Sequence, residues 1–429
     1  MVSPNISPSP TVSRFTPTLP TEIWKLIFRF ATTTPDLDYT HHDSAYTPFQ
    51  PTLVDQMDTV MDVSGPLLKA NIRFKARLVF VCKHWKALVS EFLYEDVRIQ
   101  NSQQTRRFLD TLERSAKEMG SEGLGKYVRR LQLPPSNVNE ELSRPTDVRL
   151  VDIINCCTNL EILTKPPYHD GTDDLRFWWG LTTLAHDGRP KLASLKRLDW
   201  FAGFREENSP TEIQIQRLVD LIRESPNLRY LCLSGNPSNI LLRIRPIPKL
   251  TTLRFGLIPT VDGISRHDVP ELTTFIAHPS ILYLKAPFLG LIGQQLHAIE
   301  LTCHSQRSSV STRDIEDFFK CCPNLLEFSF HLGFPHLSEI RSFQHLSITC
   351  IRLHVDRYPR VTLAKLPKQF GIVAGRSFPA LKRVVLHGDW SLLRQEESFQ
   401  TFRETLLNRG CVLEYVGWHD DDCVPAAGI

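Results

Sequence analysis

A six-residue pattern, apolar-x-x-apolar-x-apolar, returns along most of this chain and constrains its fold more than any other feature. It reads Val128-Leu131-Leu133, Leu195-Leu198-Trp200, Leu228-Leu231-Leu233 and Leu250-Leu253-Phe255. It continues as Leu296-Ile299-Leu301, Leu325-Phe328-Phe330, Ile348-Ile351-Leu353 and Leu381-Val384-Leu386. Weaker copies sit at Leu160-Leu163, Leu272-Phe275 and Val412-Tyr415. The central residues are 131, 163, 198, 231, 253, 275, 299, 328, 351, 384 and 415, separated by 22 to 35 residues. Apolar side chains two apart leave a strand on the same side. A single such strand cannot bury that side alone, so copies must stack on one another. The alternative is an ordinary α/β domain with scattered leucines. Repetition in one direction argues against it.

Helix-like stretches lie between several copies. Val148, Val151, Ile153, Ile154 and Cys157 precede Thr158-Asn159-Leu160, and Ile215, Leu218, Leu221 and Ile222 precede Ser225-Pro226-Asn227-Leu228. Ile315, Phe318, Phe319 and Cys322 precede Pro323-Asn324-Leu325. Each reads as an amphipathic helix stopped by proline or asparagine and followed by a strand. This order, with a cysteine at the helix end, resembles irregular leucine-rich repeats. The resemblance implies an α/β solenoid over residues 98–429, with a curved parallel inner sheet and helices or irregular turns outside.

The N-terminal part carries a different signal in two halves. The first is Leu19-Pro20-Thr21-Glu22-Ile23-Trp24-Lys25-Leu26-Ile27-Phe28. The second is Leu78-Val79-Phe80-Val81-Cys82-Lys83-His84-Trp85-Lys86-Ala87-Leu88, then Leu93-Tyr94. Pro20 suits a first helical turn, where its missing N–H has no partner to lose. Glu22 is favourable near the positive helix end. Ile23, Leu26, Ile27 and Phe30 recur at helical spacing as one apolar stripe. Val81, Trp85 and Leu88 share one face of the second helix, and Cys82, Val89 and Phe92 another, so a unit this small wants an outside partner. An ordinary helical hairpin is the plain alternative. Together the halves resemble an F-box, with the expanded spacer common in fungal-type F-box proteins. That resemblance implies docking of a Skp-family adaptor, and through it a cullin. Leu19, Pro20, Ile23, Ile27, Val81, Cys82, Trp85 and Leu93 would be the adaptor surface or its support.

The F-box region spans residues 19–97, with a loop inserted at about 32–70. That segment holds Asp36, Asp38, Asp43, Asp55, Asp58 and Asp62 with four prolines, the composition of a surface loop. Leu53 to Met57 could form one helical turn, and the basic stretch Asn71 to Arg77 reads as a helix. Residues 1–18, rich in serine, threonine and proline, read as a disordered tail without the apolar run of a signal peptide.

If strand neighbours alternate faces, the last outward position of successive repeats reads Pro134, Pro166, Phe201, Ser234, Gly256, His278, Thr302, His331, His354, His387 and Trp418. Three consecutive histidines then share a column beside Arg352 and Arg383, at a strand spacing of ~4.8 Å. Imidazole near neutrality and fixed guanidinium charge could receive an acidic or phosphorylated substrate segment. His331, His354, His387, Arg352, Arg383 and Trp418 are therefore the candidate substrate-binding residues.

Other chemistry is poorly represented. There is no glycine-rich phosphate loop, nucleophile elbow or zinc-protease signature, so no catalytic residue and no cofactor is expected. His41-His42-Asp43 and His419-Asp420-Asp421-Asp422 lack the second ligand cluster a closed metal site requires. The charge of +3, from 50 basic and 47 acidic residues, offers no broad field for nucleic acid or anionic membrane. The short run Lys126, Arg129 and Arg130 is too small a basic stripe for nucleic acid. Ten cysteines without any C-x-x-C pair look like packing positions in a reducing compartment, cytoplasmic or nuclear. The resemblance thus implies the non-catalytic substrate-recognition subunit of an SCF-type (Skp–cullin–F-box) E3 ubiquitin ligase. A leucine-rich scaffold acting without a ligase is the alternative.

Overall fold

The computed structural model describes residues 19–32, 64–99, 102–120, 123–133, 150–165, 192–201, 212–234, 243, 246–255, 264–277, 287–302, 312–332, 344–355 and 366–416. They form two compact units that divide between Leu93 and Tyr94.

The first unit is helical: α1 (Thr21–Thr32), α2 (Ser64–Val79) and most of α3 (Lys83–Glu95). Pro20 stands just ahead of α1, and its carbonyl accepts the N–H groups of Ile23 and Trp24 at 3.0 and 3.2 Å. It therefore precedes the helix and is not its first turn. Helix α2 starts at Ser64, inside the segment expected to be loop. Pro66 falls in the first turn, where a missing N–H breaks no helical bond. The segment Leu53 to Met57 and the tail lie outside the described residues. Phe28, Leu88, Val89 and Phe92 form the unit's buried core.

The second unit is a leucine-rich-repeat solenoid. Its strands are β1 (Asp96–Arg98), β2 (Arg130–Gln132), β3 (Ile162–Lys165), β4 (Arg197–Phe201), β5 (Tyr230–Ser234), β6 (Thr252–Phe255), β7 (Thr274–Ala277), β8 (Ala298–Leu301), β9 (Glu327–His331), β10 (Cys350–Val355), β11 (Arg383–Gly388) and β12 (Val412–Val416). All twelve form one sheet in chain order, and every neighbouring pair is parallel. Parallel neighbours need a crossover. Several of these carry helices: α4 (Ser102–Met119), α5 (Leu150–Cys156), α6 (Glu212–Arg223), α7 (Pro287–Ile292), α8 (Thr312–Cys321), α9 (Leu366–Ala374) and α10 (Glu397–Asn408).

The register follows the apolar pattern. Leu131, Leu163, Leu198, Leu231, Leu253, Phe275, Ile299, Phe328, Ile351 and Val384 are Cα partners in succession, and all are fully buried. They belong to one continuous core with Ile153, Leu221, Phe319, Phe370 and Phe402 from the helices. Each such side chain contributes about 1.5–3 kcal/mol by leaving water. The sheet starts one strand earlier than the sequence pattern showed, since Val97 of β1 pairs with Leu131.

The last repeat departs from the expected register. Leu413, not Tyr415, stands opposite Val384. The cause is the end of α10. Gly410 takes a left-handed φ of 73°, and the Cys411 N–H returns to the Leu406 carbonyl at 2.9 Å. The strand then begins at Val412, whose N–H reaches Lys382 O at 2.8 Å.

The asparagines after the helices do more than stop them. Asn159, Asn227 and Asn324 donate side-chain N–H groups to the carbonyls of Lys126, Ala193 and Gln294 at 2.9, 2.6 and 2.7 Å. Each bond ties one repeat to its predecessor. Close approach also fixes two glycines: a Cβ at Gly125 or Gly293 would run into the carbonyl of Cys156 or Cys321. Backbone passing this near excludes any side chain.

Candidate functional site

In the helical unit the core is assembled from aromatic side chains. Trp24 stacks on Phe28 at 5.6 Å, and the Trp85 ring meets Phe28 edge-on at 4.9 Å and Trp24 at 5.3 Å. Such pairs add about 0.5–1.5 kcal/mol beyond burial. Arg29 lies 5.2 Å over the Phe92 ring, and Lys25 pairs with Glu91 at 2.8 Å. Asn71 of α2 donates to the Thr32 carbonyl at the end of α1, at 2.7 Å. At the head of α3 the Cys82 sulfur accepts the Trp85 N–H at 3.4 Å, the position of an N-cap. Trp85 is half-buried and supports the core, as the packing of its ring requires.

What this core leaves outside is apolar. Leu19, Ile23 and Ile27 are exposed, Leu26 is 63% exposed and Phe30 90% exposed. Val81 is exposed too, and Phe80 beside it is 87% exposed. Pro20 and Cys82 face solvent, while Leu93 is half-buried. Phe80 was the member of this surface that pattern reading missed. It occupies the turn between α2 and α3, where helical periodicity gives no information.

In the repeat unit the histidine column forms as the alternation requires. His331, His354 and His387 are consecutive Cα partners, and the His331 and His354 rings lie 4.5 Å apart. Val416, not Trp418, is the Cα partner of His387 on β12, and Trp418 lies outside the described residues. Burial first, and then the positive Arg352 and the nearby His354, pull His387 down to about 4. It is therefore neutral at pH 7.

The two arginines are not open charges. Arg352 Nε donates to Glu327 at 3.1 Å, and Arg383 reaches Glu327 at 3.7 Å and Glu414 at 3.8 Å. Glu327 is the Cα partner of Cys350, two strands from Arg383, so neighbouring strands bring these charges together. Two guanidinium groups meet two carboxylates here. His387 itself adds no charge beside them at pH 7.

The remaining far face, turned away from the helices, is uneven. Tyr230, Cys232 and Ile276 form a small apolar cluster of their own in its centre. Toward β1 a second charged patch gathers Asp96, Arg98, Arg130, Arg197 and Asp199. Among the described residues no group of three or more histidine, cysteine or acidic side chains is placed to hold a metal ion. The motifs at 41–43 and 419–422 lie outside those residues. No described helix is long and apolar enough to cross a membrane.

No family model matches the chain, and no curated protein matches its sequence. Among solved structures it is similar to the leucine-rich repeat-containing protein LegL7 from Legionella pneumophila, at 12% identity and a TM-score of 0.42, covering 75% of this chain and 95% of that one. It is also similar to the TLR13 chain of a TLR13–ssRNA13 complex, at 14% identity and a TM-score of 0.34, covering 69% of this chain and 36% of that one. At these scores neither likeness bears on activity or partner. The leucine-rich-repeat fold rests on the sheet's own order and register.

Proposed function

We propose that the chain is the substrate-recognition subunit of an SCF-type E3 ubiquitin ligase, non-catalytic in itself. The helical unit docks a Skp-family adaptor and through it a cullin. The repeat unit receives a protein substrate.

The exposed apolar stripe carries this reading. Leu19, Ile23, Leu26, Ile27, Phe30, Phe80 and Val81 lie in water while a separate aromatic core already stabilises the unit. Large apolar side chains exposed in such number on so small a unit mark an interaction site. The resemblance of the two motif halves to an F-box supports a Skp-family adaptor as the occupant, since it implies adaptor contact at several of these exposed positions. Pro20 and Cys82 stand at the edges of the same helices, and Trp85 holds the two helices together from behind.

The test is co-purification of the full chain with a Skp-family adaptor, comparing wild type with an Ile23→Ser, Ile27→Ser double variant. Both side chains are outside the core, so the variant folds. Retention of the adaptor by wild type and its loss from the variant is the expected result. An adaptor missing from wild type overturns the ligase reading and leaves a leucine-rich scaffold that binds protein partners, and one held equally by both removes Ile23 and Ile27 from the docking surface.

A further inference from the structure

Three guanidinium groups and two carboxylates meet where β1 to β4 cross the far face. Arg98, Gln132, Thr164 and Asp199 form one row, because each is the Cα partner of the next. Asp96, Arg130 and Arg197 stand in the adjoining row, with Ile162 between the arginines. Asp96 is shared by Arg98 at 3.3 Å and Arg130 at 3.8 Å. Arg197 donates its Nε–H to Asp199 at 2.8 Å and lies 4.2 Å over the Tyr230 ring. Burial holds Arg130 below the ordinary guanidinium value, against the opposing pull of Asp96, and the like charges of Arg98 and Arg197 add to the effect. The patch therefore sets three guanidinium groups among two carboxylates.

The first row is short of hydrogen bonds. In each of its four members one polar atom is shut off from water and meets no hydrogen-bond partner. These are Arg98 Nε, Gln132 Oε1, Thr164 Oγ1 and Asp199 Oδ1. Thr164 is only 2% exposed. Folded proteins seldom leave buried polar groups unmet, because each loses its water without gaining a replacement. Four in one row, on adjacent strands about 4.8 Å apart, describe a ligand's footprint better than four separate defects. Arg98 and Gln132 are only partly buried, so a shift of these two side chains would open their unmet atoms to a ligand.

We infer that this row binds an anionic side chain, carboxylate or phosphate, on an extended segment of the protein partner. Arg98 supplies the charged hydrogen bond and Thr164 the hydroxyl donor. Gln132 and Asp199 accept N–H groups of the same segment. The inference rests on the reading that the repeat sheet is the substrate face, and it places anion recognition at β1 to β4. Arg352 and Arg383 at the histidine column have carboxylate partners, as Arg98 has Asp96 here, but Arg98 also keeps an Nε–H with no partner.

Isothermal titration of the full chain at low salt, with inorganic phosphate and with a hexaglutamate peptide, tests it. Wild type should bind at least one probe, phosphate alone indicating a phosphorylated partner and hexaglutamate an acidic one. Arg98→Gln should weaken binding by about tenfold, the loss of one charge-assisted hydrogen bond. Thr164→Val should weaken it by about threefold without lowering the melting temperature, since the hydroxyl has no partner to lose. Arg383→Gln should bind as wild type does. Neither probe bound by folded wild type overturns the inference. So does wild-type affinity in both row variants, an equal loss in Arg383→Gln, or a lowered melting temperature in Thr164→Val. Adaptor capture is read separately. A chain that captures adaptor but neither probe overturns only this inference, and one that binds a probe but no adaptor overturns only the ligase reading.

Discussion

The helical unit leaves large apolar side chains in water, while the repeat unit buries charged ones. Phe30 and Phe80 stand almost fully exposed on the first, whereas Lys165, Arg254 and Glu300 are nearly inaccessible on the second. Each inversion costs stability by a different route. Exposed apolar area forfeits the gain of leaving water, and buried charge forfeits hydration unless a partner replaces it. The contrast therefore separates two kinds of binding. In the proposed function the helical unit offers a surface to an apolar partner, and the sheet offers polar groups to a charged or hydrogen-bonding one.

The sharpest way to break this contrast is to truncate an aromatic side chain in each unit. Phe328 is fully buried, with Phe319 and Phe330 both 5.1 Å away. Phe328→Ala should cost about 3–5 kcal/mol in urea unfolding of the repeat unit. A loss below 1 kcal/mol would mean that the stacked core is not what holds the solenoid together.

A smaller effect tests the buried polar side. His387 has its folded value depressed to about 4, against an ordinary 6.5. The unfolded chain then binds more protons between these values, so stability rises with pH across that window. The contribution is complete above about pH 6.5 and is lost as pH falls toward 4, on the order of 3 kcal/mol at most. Urea midpoints at pH 7 and 4.5 should show the decline, and His387→Asn should remove most of it. An equal decline in the variant would place the acid sensitivity elsewhere.

The smallest expected change is in the stripe. Phe30→Ser should alter unfolding stability by no more than about 0.5 kcal/mol, as for an ordinary surface position. A cost like that of Phe328→Ala would show that Phe30 belongs to a core and not to a docking surface.

Much of this architecture was legible in the sequence because it is local. Ten of the central apolar residues pair as their spacing required, from Leu131 to Val384. Three histidines fell into one column for the same reason, since side-chain direction alternates strictly along a strand. The apolar stripe from Ile23 to Phe30 was visible as helical periodicity. The far-face charges were less legible. Arg352 and Arg383 looked available until neighbouring strands brought Glu327 and Glu414 beside them. Arg130 read as part of a short basic stripe, although its relevant neighbours, Asp96 and Arg197, are far away in the chain.

The sequence by itself determined where β2 to β11 lie, which side of each is apolar and how these copies align. Those properties follow from periods of two and 3.6 residues, within reach of a few neighbouring side chains. Only the tertiary structure decided the start of the last strand, where a left-handed Gly410 ends the preceding helix. It alone decided that the stripe stays in water while Phe28, Val89 and Phe92 close the core. It alone also joined Arg98, Gln132, Thr164 and Asp199 into one row. Those outcomes depend on burial and on contacts between residues some 30 positions apart, which no local period encodes.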